Sequence, residues 1–177
     1  ALDLDKLTCA WCALLFRLDP GILRVNGRPV LVGDGIKVAK AGRQMPGVKK
    51  LHQESESNNQ AEYIFGHSCQ AVALLTQALA SVFALPLACR IHEGTVFSNR
   101  DQRSLLDKMI LLLGSLGLNQ PFYFVADAYY ASGKVVRGLL AHGNHLVTRV
   151  KSISVAYFPA TPPPHRPRRR GRPAKYG

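Results

Sequence analysis

The feature that most constrains the fold is an unbroken apolar run, Phe122 to Ala126, that ends at Asp127. A run of this kind is typical of a strand buried on both faces. A helical pattern follows from Ser132 to His142 with Gly143 as its C-cap, and another strand is predicted at about 145–150. Strand, helix and strand in this order predict an α/β fold with parallel strand pairs.

Further apolar patterns add elements to this fold. They predict an amphipathic helix over about 3–17, a short strand at 30–32 and a hairpin-like pair of strands at 63–76 and 82–92. A second helix, capped by Ser98-Asn99 and ended by Gly117, carries one apolar face: Leu105, Leu106, Met109, Leu112, Leu113 and Leu116. In the later helix the residues expected to point inward are Val135, Val136, Leu139 and Leu140.

The charge of the chain is uneven along its 177 residues. The formal net charge is +12; residues 1–127 hold 13 basic and all 11 acidic residues, whereas 128–177 hold 10 basic residues and no acidic one. Such an excess favours a polyanionic partner, nucleic acid first, although a solvated basic tail explains it too. The segment 63–89 carries no Lys, Arg, Asp or Glu, and we interpret it as two buried strands rather than a membrane span. The four cysteines are expected to be buried thiols in a reducing cytosol.

Two acidic residues directly follow apolar strands, Asp34 after the first predicted strand and Asp127 after the run at 122–126. Ligands bind at the carboxyl ends of strands in open α/β sheets. If the two strands are adjacent and parallel, the carboxylates converge, and oxygen ligands of this kind suit Mg²⁺ in phosphoryl transfer. Two plainer interpretations stand beside this one: a hairpin turn at Asp34-Gly35 and a helix cap at Asp127.

A family resemblance supports the metal-site interpretation. The run 32–55, which reads VGDGIKVAKAGRQMPGVKKLHQES, resembles the first catalytic block of bacterial insertion-sequence DDE transposases. Segments 65–68, 85–94 and 124–131 resemble later blocks in the same order, so the resemblance covers most of 28–158. It implies a ribonuclease-H-like mixed α/β sheet flanked by helices and incomplete at the C-terminus.

The same resemblance implies a function. Asp34 and Asp127 would be the first two catalytic acids and would bind Mg²⁺, or Mn²⁺ as a substitute, for DNA strand cleavage and strand transfer at transposon ends. The implied partners are transposon-end and target DNA and, in the full-length protein, further copies of the chain. The implied location is the bacterial cytoplasm, at the nucleoid.

One departure from the family pattern is the third acid, a glutamate on a helix well downstream of the second. No Asp or Glu follows Asp127, and Glu62 and Glu93 come too early. We therefore expect the chain to be a truncated transposase that is catalytically weak or inactive. Its expected parts are an N-terminal helix and linker at 1–27, a partial catalytic core at 28–158 and a Pro/Arg-rich insertion or tail at 159–177.

Basic residues near the predicted site are candidates for contacts with the DNA backbone. They lie in the loop after the first strand, after the last strand and in the tail: Lys37, Lys40, Arg43, Lys49, Lys50, Arg149, Lys151, Arg168, Arg169, Arg170 and Arg172. A solvated loop face, a charged strand edge and a generic basic linker are the corresponding structural interpretations. Tyr129 and Tyr130 either stack on an unpaired base or pack against the next helix.

Two other functions fit the sequence. One is a non-enzymatic DNA-binding remnant of a transposase that uses the basic loop and tail. The other is a self-contained ribonuclease-H-like nuclease, which is disfavoured because no acidic residue follows Asp127.

Overall fold

The computed structural model describes residues 3–52, 62–92, 103–150 and 154–155. The elements in chain order are helix α1 (Leu4–Leu18), strands β1 (Arg24–Val25), β2 (Arg28–Ala39), β3 (Lys49–His52), β4 (Tyr63–Ala78) and β5 (Ser81–His92), helix α2 (Leu105–Gly114), strand β6 (Tyr123–Val125), a 3-10 turn (Ala128–Tyr130), helix α3 (Gly133–Leu140) and strand β7 (His145–Val147).

The strands form one mixed sheet. On one side, β4 pairs antiparallel with β2. On its other side, the start of β4 pairs antiparallel with β3 and the rest of β4 pairs antiparallel with β5. β2 continues the sheet through a parallel pairing with β6, which in turn pairs parallel with β7. The main order is therefore β5-β4-β2-β6-β7, and β1 pairs with the start of β2.

One face of the sheet, the helix face, is covered by α1, α2 and α3. Its strand residues include Leu31, Leu74 and Phe124, which are fully buried. They form a single core with residues of all three helices: Cys12 of α1, Met109, Leu112 and Leu113 of α2, and Val135 and Leu139 of α3. Burial of these apolar side chains is the main term that holds the helices on the sheet.

The opposite face, called here the second face, follows from the alternation of side chains along β2. Leu31 points to the helix face, so Val32, Asp34, Ile36 and Val38 point to the second face. Ile36 and Val38 are 45% and 39% exposed. This face therefore presents an acidic residue beside an apolar surface.

The mixed α/β architecture predicted from the sequence is confirmed, but several boundaries were wrong. The first strand does not end before Gly33; β2 runs on to Ala39 because β4 supplies antiparallel partners as far as Gly66. The segment expected to be a basic loop includes a strand, β3. The second helix begins at Leu105 with Ser104 as its N-cap, and the expected cap at 98–99 lies outside the described residues.

Some burial predictions were also wrong. Only Val135 and Leu139 of α3 are buried; Val136 and Leu140 are 39% and 49% exposed because four inward positions are too wide a stripe for two turns of helix. Cys89 is exposed on β5, whereas Cys12 and Cys69 are buried. No helix within the described ranges is long and apolar enough to cross a membrane.

Candidate active site

The two predicted acids lie at the same level on neighbouring parallel strands. Val32 of β2 is registered with Val125 of β6, and Asp34 and Asp127 each come two residues later. Adjacent strands are about 4.8 Å apart, so the two residues follow neighbouring positions of the sheet. Both residues are exposed. The structure thus confirms that the two strands on which the sequence argument depended are adjacent and parallel.

Each carboxylate is oriented by a backbone amide just after it. The Gly35 amide donates to Asp34 Oδ1 at 2.7 Å, and the Tyr129 amide donates to Asp127 Oδ1 at 3.1 Å. Asp127 is therefore the N-cap of the 3-10 turn, as one of the plainer interpretations proposed, and Asp34 lies within a strand rather than in a hairpin turn. Within the described residues Oδ2 of each acid accepts no hydrogen bond, which leaves these oxygens available to a ligand.

The sequence did not predict that two buried residues near the acids form a polar pair. Gln70 of β4 and Tyr130 of the 3-10 turn are each 1% exposed, and Gln70 Nε2 donates to Tyr130 Oη at 3.1 Å. Burial, with a smaller contribution from the negative charges of Asp34 and Asp127, raises the pKa of Tyr130 to about 12. The phenol therefore stays protonated beside two carboxylates. Gln70 carried no separate signal in the sequence, because β4 contains other polar residues, among them His67, Ser68 and Thr76.

The predicted DNA-contacting residues near the site divide between the two faces. β2, β3 and the start of β4 form a three-stranded ribbon beyond the core. The register places Lys40 and Lys50 beside Phe65 of β4, on the same face of the ribbon as Asp34. Arg43 also belongs to this side, because its guanidinium lies 4.7 Å from the Phe65 ring centroid.

Lys37 and Lys49 alternate to the opposite face of the ribbon. Lys37 Nζ donates to the His52 carbonyl at 2.7 Å. Arg149 is exposed two residues after Val147 of β7, which is registered with Val125. Arg149 and Asp127 therefore each lie two residues beyond a registered pair on the neighbouring strands β7 and β6. Lys151, Arg168, Arg169, Arg170 and Arg172 lie outside the described residues.

The described residues do not support a different metal site or a redox function for the cysteines of α1. In the part of the chain that the structure describes, no three His, Cys, Asp or Glu side chains are grouped closely enough to hold a metal ion. Cys9 and Cys12 are free thiols within α1, and burial raises the pKa of Cys12 to about 11. A thiol that keeps its proton is a poor nucleophile, so Cys12 serves packing rather than redox chemistry.

The chain is built on a mixed α/β sheet in which Asp34 and Asp127 each lie two residues beyond a registered pair on neighbouring parallel strands. The family model for "DDE superfamily endonuclease" matches residues 17–177. The chain belongs to this family. No curated protein matches the sequence.

A solved structure similar to the chain is that of piggyBac transposase in a synaptic complex with hairpin DNA, determined by cryo-electron microscopy. The TM-score is 0.44 at 12% sequence identity, and the match covers 71% of this chain. It covers 23% of the piggyBac chain, so the present chain corresponds to less than a quarter of that protein.

Proposed function

We propose that this chain is the part of a DDE transposase catalytic domain that carries the first two acids, Asp34 and Asp127, and that these acids bind Mg²⁺ for DNA strand cleavage and strand transfer. The register of β2 with β6 supports the proposal, because Asp34 and Asp127 each lie two residues beyond Val32 and Val125, the pair at which the parallel pairing ends. Family membership supplies the reaction class.

The donor set fits a hard divalent cation. Carboxylate oxygens are the ligands that Mg²⁺ and Mn²⁺ prefer, and Oδ2 of each acid accepts no hydrogen bond from the described residues. When bound, the ion would lower the pKa of a water or hydroxyl nucleophile and neutralise charge at the phosphate. The protein itself carries Asp34 on β2 and Asp127 at the N-cap of the 3-10 turn after β6, and one oxygen of each acid accepts from a backbone amide. With two protein ligands the affinity is expected to be weak.

Calorimetric titration of the full chain with Mn²⁺ tests this site. We expect weak saturable binding that Asp34→Asn and Asp127→Asn each reduce by more than about tenfold, since each removes a charged ligand. Asp3→Asn is the matched control: it removes the same charge, while asparagine still caps α1. Equal binding by wild type and both site variants would exclude the proposed metal site.

We further propose that DNA enters along the ribbon on the side of Asp34. Lys40, the residue after β2, is six residues beyond Asp34, a separation of about 20 Å at the usual rise of a strand. Lys50 and Arg43 lie on the same side of the ribbon. Cations in this arrangement can follow a phosphate backbone from the carboxylates to the tip of the ribbon. Arg149 would contact the backbone on the other side of Asp127.

The two sides of the ribbon provide an internal control for DNA binding. We expect Lys40→Ala and Arg43→Ala to weaken binding of a short duplex and to lower the slope of log K against log salt by about 0.9 each. Lys37→Ala, on the opposite face, should change the slope less. Equal effects of all three substitutions in fluorescence anisotropy would show non-directional attraction and contradict this path for the DNA.

The second candidate function is a non-enzymatic DNA-binding remnant. It is favoured by one observation: within the described ranges no third acidic, histidine or cysteine ligand accompanies Asp34 and Asp127. This candidate predicts DNA binding without a metal ion, and Mn²⁺ titration distinguishes it from the first.

A further inference from the structure

Two exposed aromatic side chains lie on the face of the ribbon that Asp34 shares. Val38 of β2 is on this face and is registered with His67 of β4. Side chains alternate along a strand, so Phe65 and Tyr63 of β4 point to the same face. Their side chains are 36% and 46% exposed. Much of each ring therefore remains available to a ligand.

Each of these rings has a cation over it. The Arg43 guanidinium lies 4.7 Å from the centroid of the Phe65 ring, and Lys50 Nζ lies 4.3 Å from the centroid of the Tyr63 ring. The Lys40 amide donates to the Phe65 carbonyl at 2.8 Å, which keeps a third cation at this end of the ribbon. Aromatic rings and cations thus alternate over one surface.

This arrangement fits an unpaired nucleic-acid strand. Base faces stack on aromatic side chains whatever the sequence, and the basic side chains follow the phosphates. In an intact duplex the bases stack on one another at a rise of 3.4 Å, so their faces are covered. Tyr63 and Phe65 are two residues apart on β4, about 7 Å along the strand, which gives each ring room for its own base.

The cations over the rings do not prevent stacking. A cation–π contact at an exposed site is weaker than the stacking of a base on an aromatic ring. An arriving base can therefore displace the cation, and the displaced cation is then close to the phosphate of the same nucleotide.

We propose that this face of the ribbon is a binding site for single-stranded DNA, in which Tyr63 and Phe65 stack on unpaired bases. Lys40, Arg43 and Lys50 contact the phosphates of the same strand. Because Asp34 shares the face, unpaired nucleotides held there lie on the approach to the two acids. The inference rests on the proposed path of the DNA along the ribbon and adds that the DNA bound there is unpaired.

Fluorescence anisotropy of the full chain with a labelled oligothymidylate of about 15 nucleotides, and with a duplex of the same length, tests the site. We expect Tyr63→Leu and Phe65→Leu each to weaken single-strand binding about tenfold, which corresponds to about 1.4 kcal/mol. Duplex binding should change less than about twofold, because the cations that attract it remain. Tyr63→Phe should bind both as wild type does, since it keeps the ring.

Phe83→Leu is the matched control, because Phe83 is 50% exposed near the turn of the β4–β5 hairpin, outside the ribbon. It should change neither affinity. Equal losses of single-strand and duplex binding by the Tyr63 and Phe65 variants would show that the rings support the ribbon and do not bind bases. Unchanged single-strand binding would show that no base stacks on them. Either result would overturn the inference.

Photo-crosslinking of wild type to a single strand that contains iododeoxyuridine tests the site without a variant. We expect mass spectrometry to find adducts at Tyr63 or Phe65, and adducts confined to other residues would overturn the inference. If Lys40→Ala and Arg43→Ala weaken duplex binding while the ring variants have no effect, the proposed DNA path stands and only the stacking site fails. If the cation variants also have no effect, both proposals fail.

Discussion

At the scale of single residues, Gly33 shows how close packing positions the strand that carries Asp34. A Cβ on Gly33 would lie 2.6 Å from Phe124 Cε2 and 3.1 Å from the Ala71 carbonyl oxygen. Phe124 is fully buried, and its ring packs edge-on against Tyr130. The absence of a side chain therefore lets β2 pass directly over the Phe124 ring, one residue before Asp34.

We predict that Gly33→Ala lowers the free energy of unfolding by about 1–3 kcal/mol, as overpacking of a core does. Gly35→Ala is the control two residues away on the same face, where the added Cβ meets only an ordinary contact of 3.8 Å. Urea unfolding of both variants measures the difference. Equal stability of the two would show that the Phe124 ring adapts to the added methyl group.

At the scale of secondary-structure elements, α2 is fixed at its first turn by a capping box. The Asp107 amide donates to Ser104 Oγ, and the Ser104 amide donates to Asp107 Oδ2 at 2.9 Å. Lys134 of α3 completes the group with Nζ 2.9 Å from Asp107 Oδ1. Hydrogen bonds from Ser104, followed by those from Lys134, lower the pKa of Asp107 to about 2.

This pKa predicts how acid affects α2. Because the folded-state pKa of Asp107 lies below its ordinary value of 3.8, the stabilisation is complete above about pH 4 and is lost as the pH falls through about 2. We expect Asp107→Asn to be less stable at pH 7 and to lose less stability on acidification than wild type. Asp3→Asn should retain the slope of wild type. Unfolding titrations at pH 7, 4 and 2.5 measure these slopes, and an unchanged slope for Asp107→Asn would contradict the prediction.

The elements also show what the sequence could predict and what it could not. Local patterns located α1, α3, the β4–β5 hairpin and the strand before Asp127, because each has its own apolar periodicity and turn residues. The run through Gly33-Asp34-Gly35 looked like a turn, yet it is strand, because β4 provides hydrogen-bonding partners that are distant in the chain. Gly66 permits this pairing: a Cβ there would lie within 3 Å of the Val38 backbone. Pairing between strands that are distant in the chain leaves no pattern in the local sequence, so it could not be predicted.

At the scale of the whole molecule, the site depends on a parallel register between strands far apart in the sequence. The adjacent positions of Asp34 and Asp127 could be predicted, because an apolar run precedes each and the two runs pair in parallel. Gln70 and Tyr130 could not be assigned to the site, since their proximity depends on the packing of β4, α2 and the 3-10 turn around one point. The distribution of basic residues over the two faces of the ribbon likewise required the register of β2 with β4.

Deletion of the basic tail distinguishes a metal site on the sheet from DNA binding by charge alone. The described residues of the core end at Leu146, and the segment 159–177 holds six of the 23 Lys and Arg residues. If Asp34 and Asp127 form a metal site on the sheet, deletion of 159–177 should leave Mn²⁺ affinity unchanged, while DNA affinity falls with the lost charge and its dependence on salt becomes shallower. A remnant that only binds DNA predicts a different outcome: no Mn²⁺ binding before or after the deletion, and loss of most DNA binding after it. Mn²⁺ calorimetry and DNA anisotropy on the same two proteins distinguish these outcomes, because the first reports on the sheet and the second on charge.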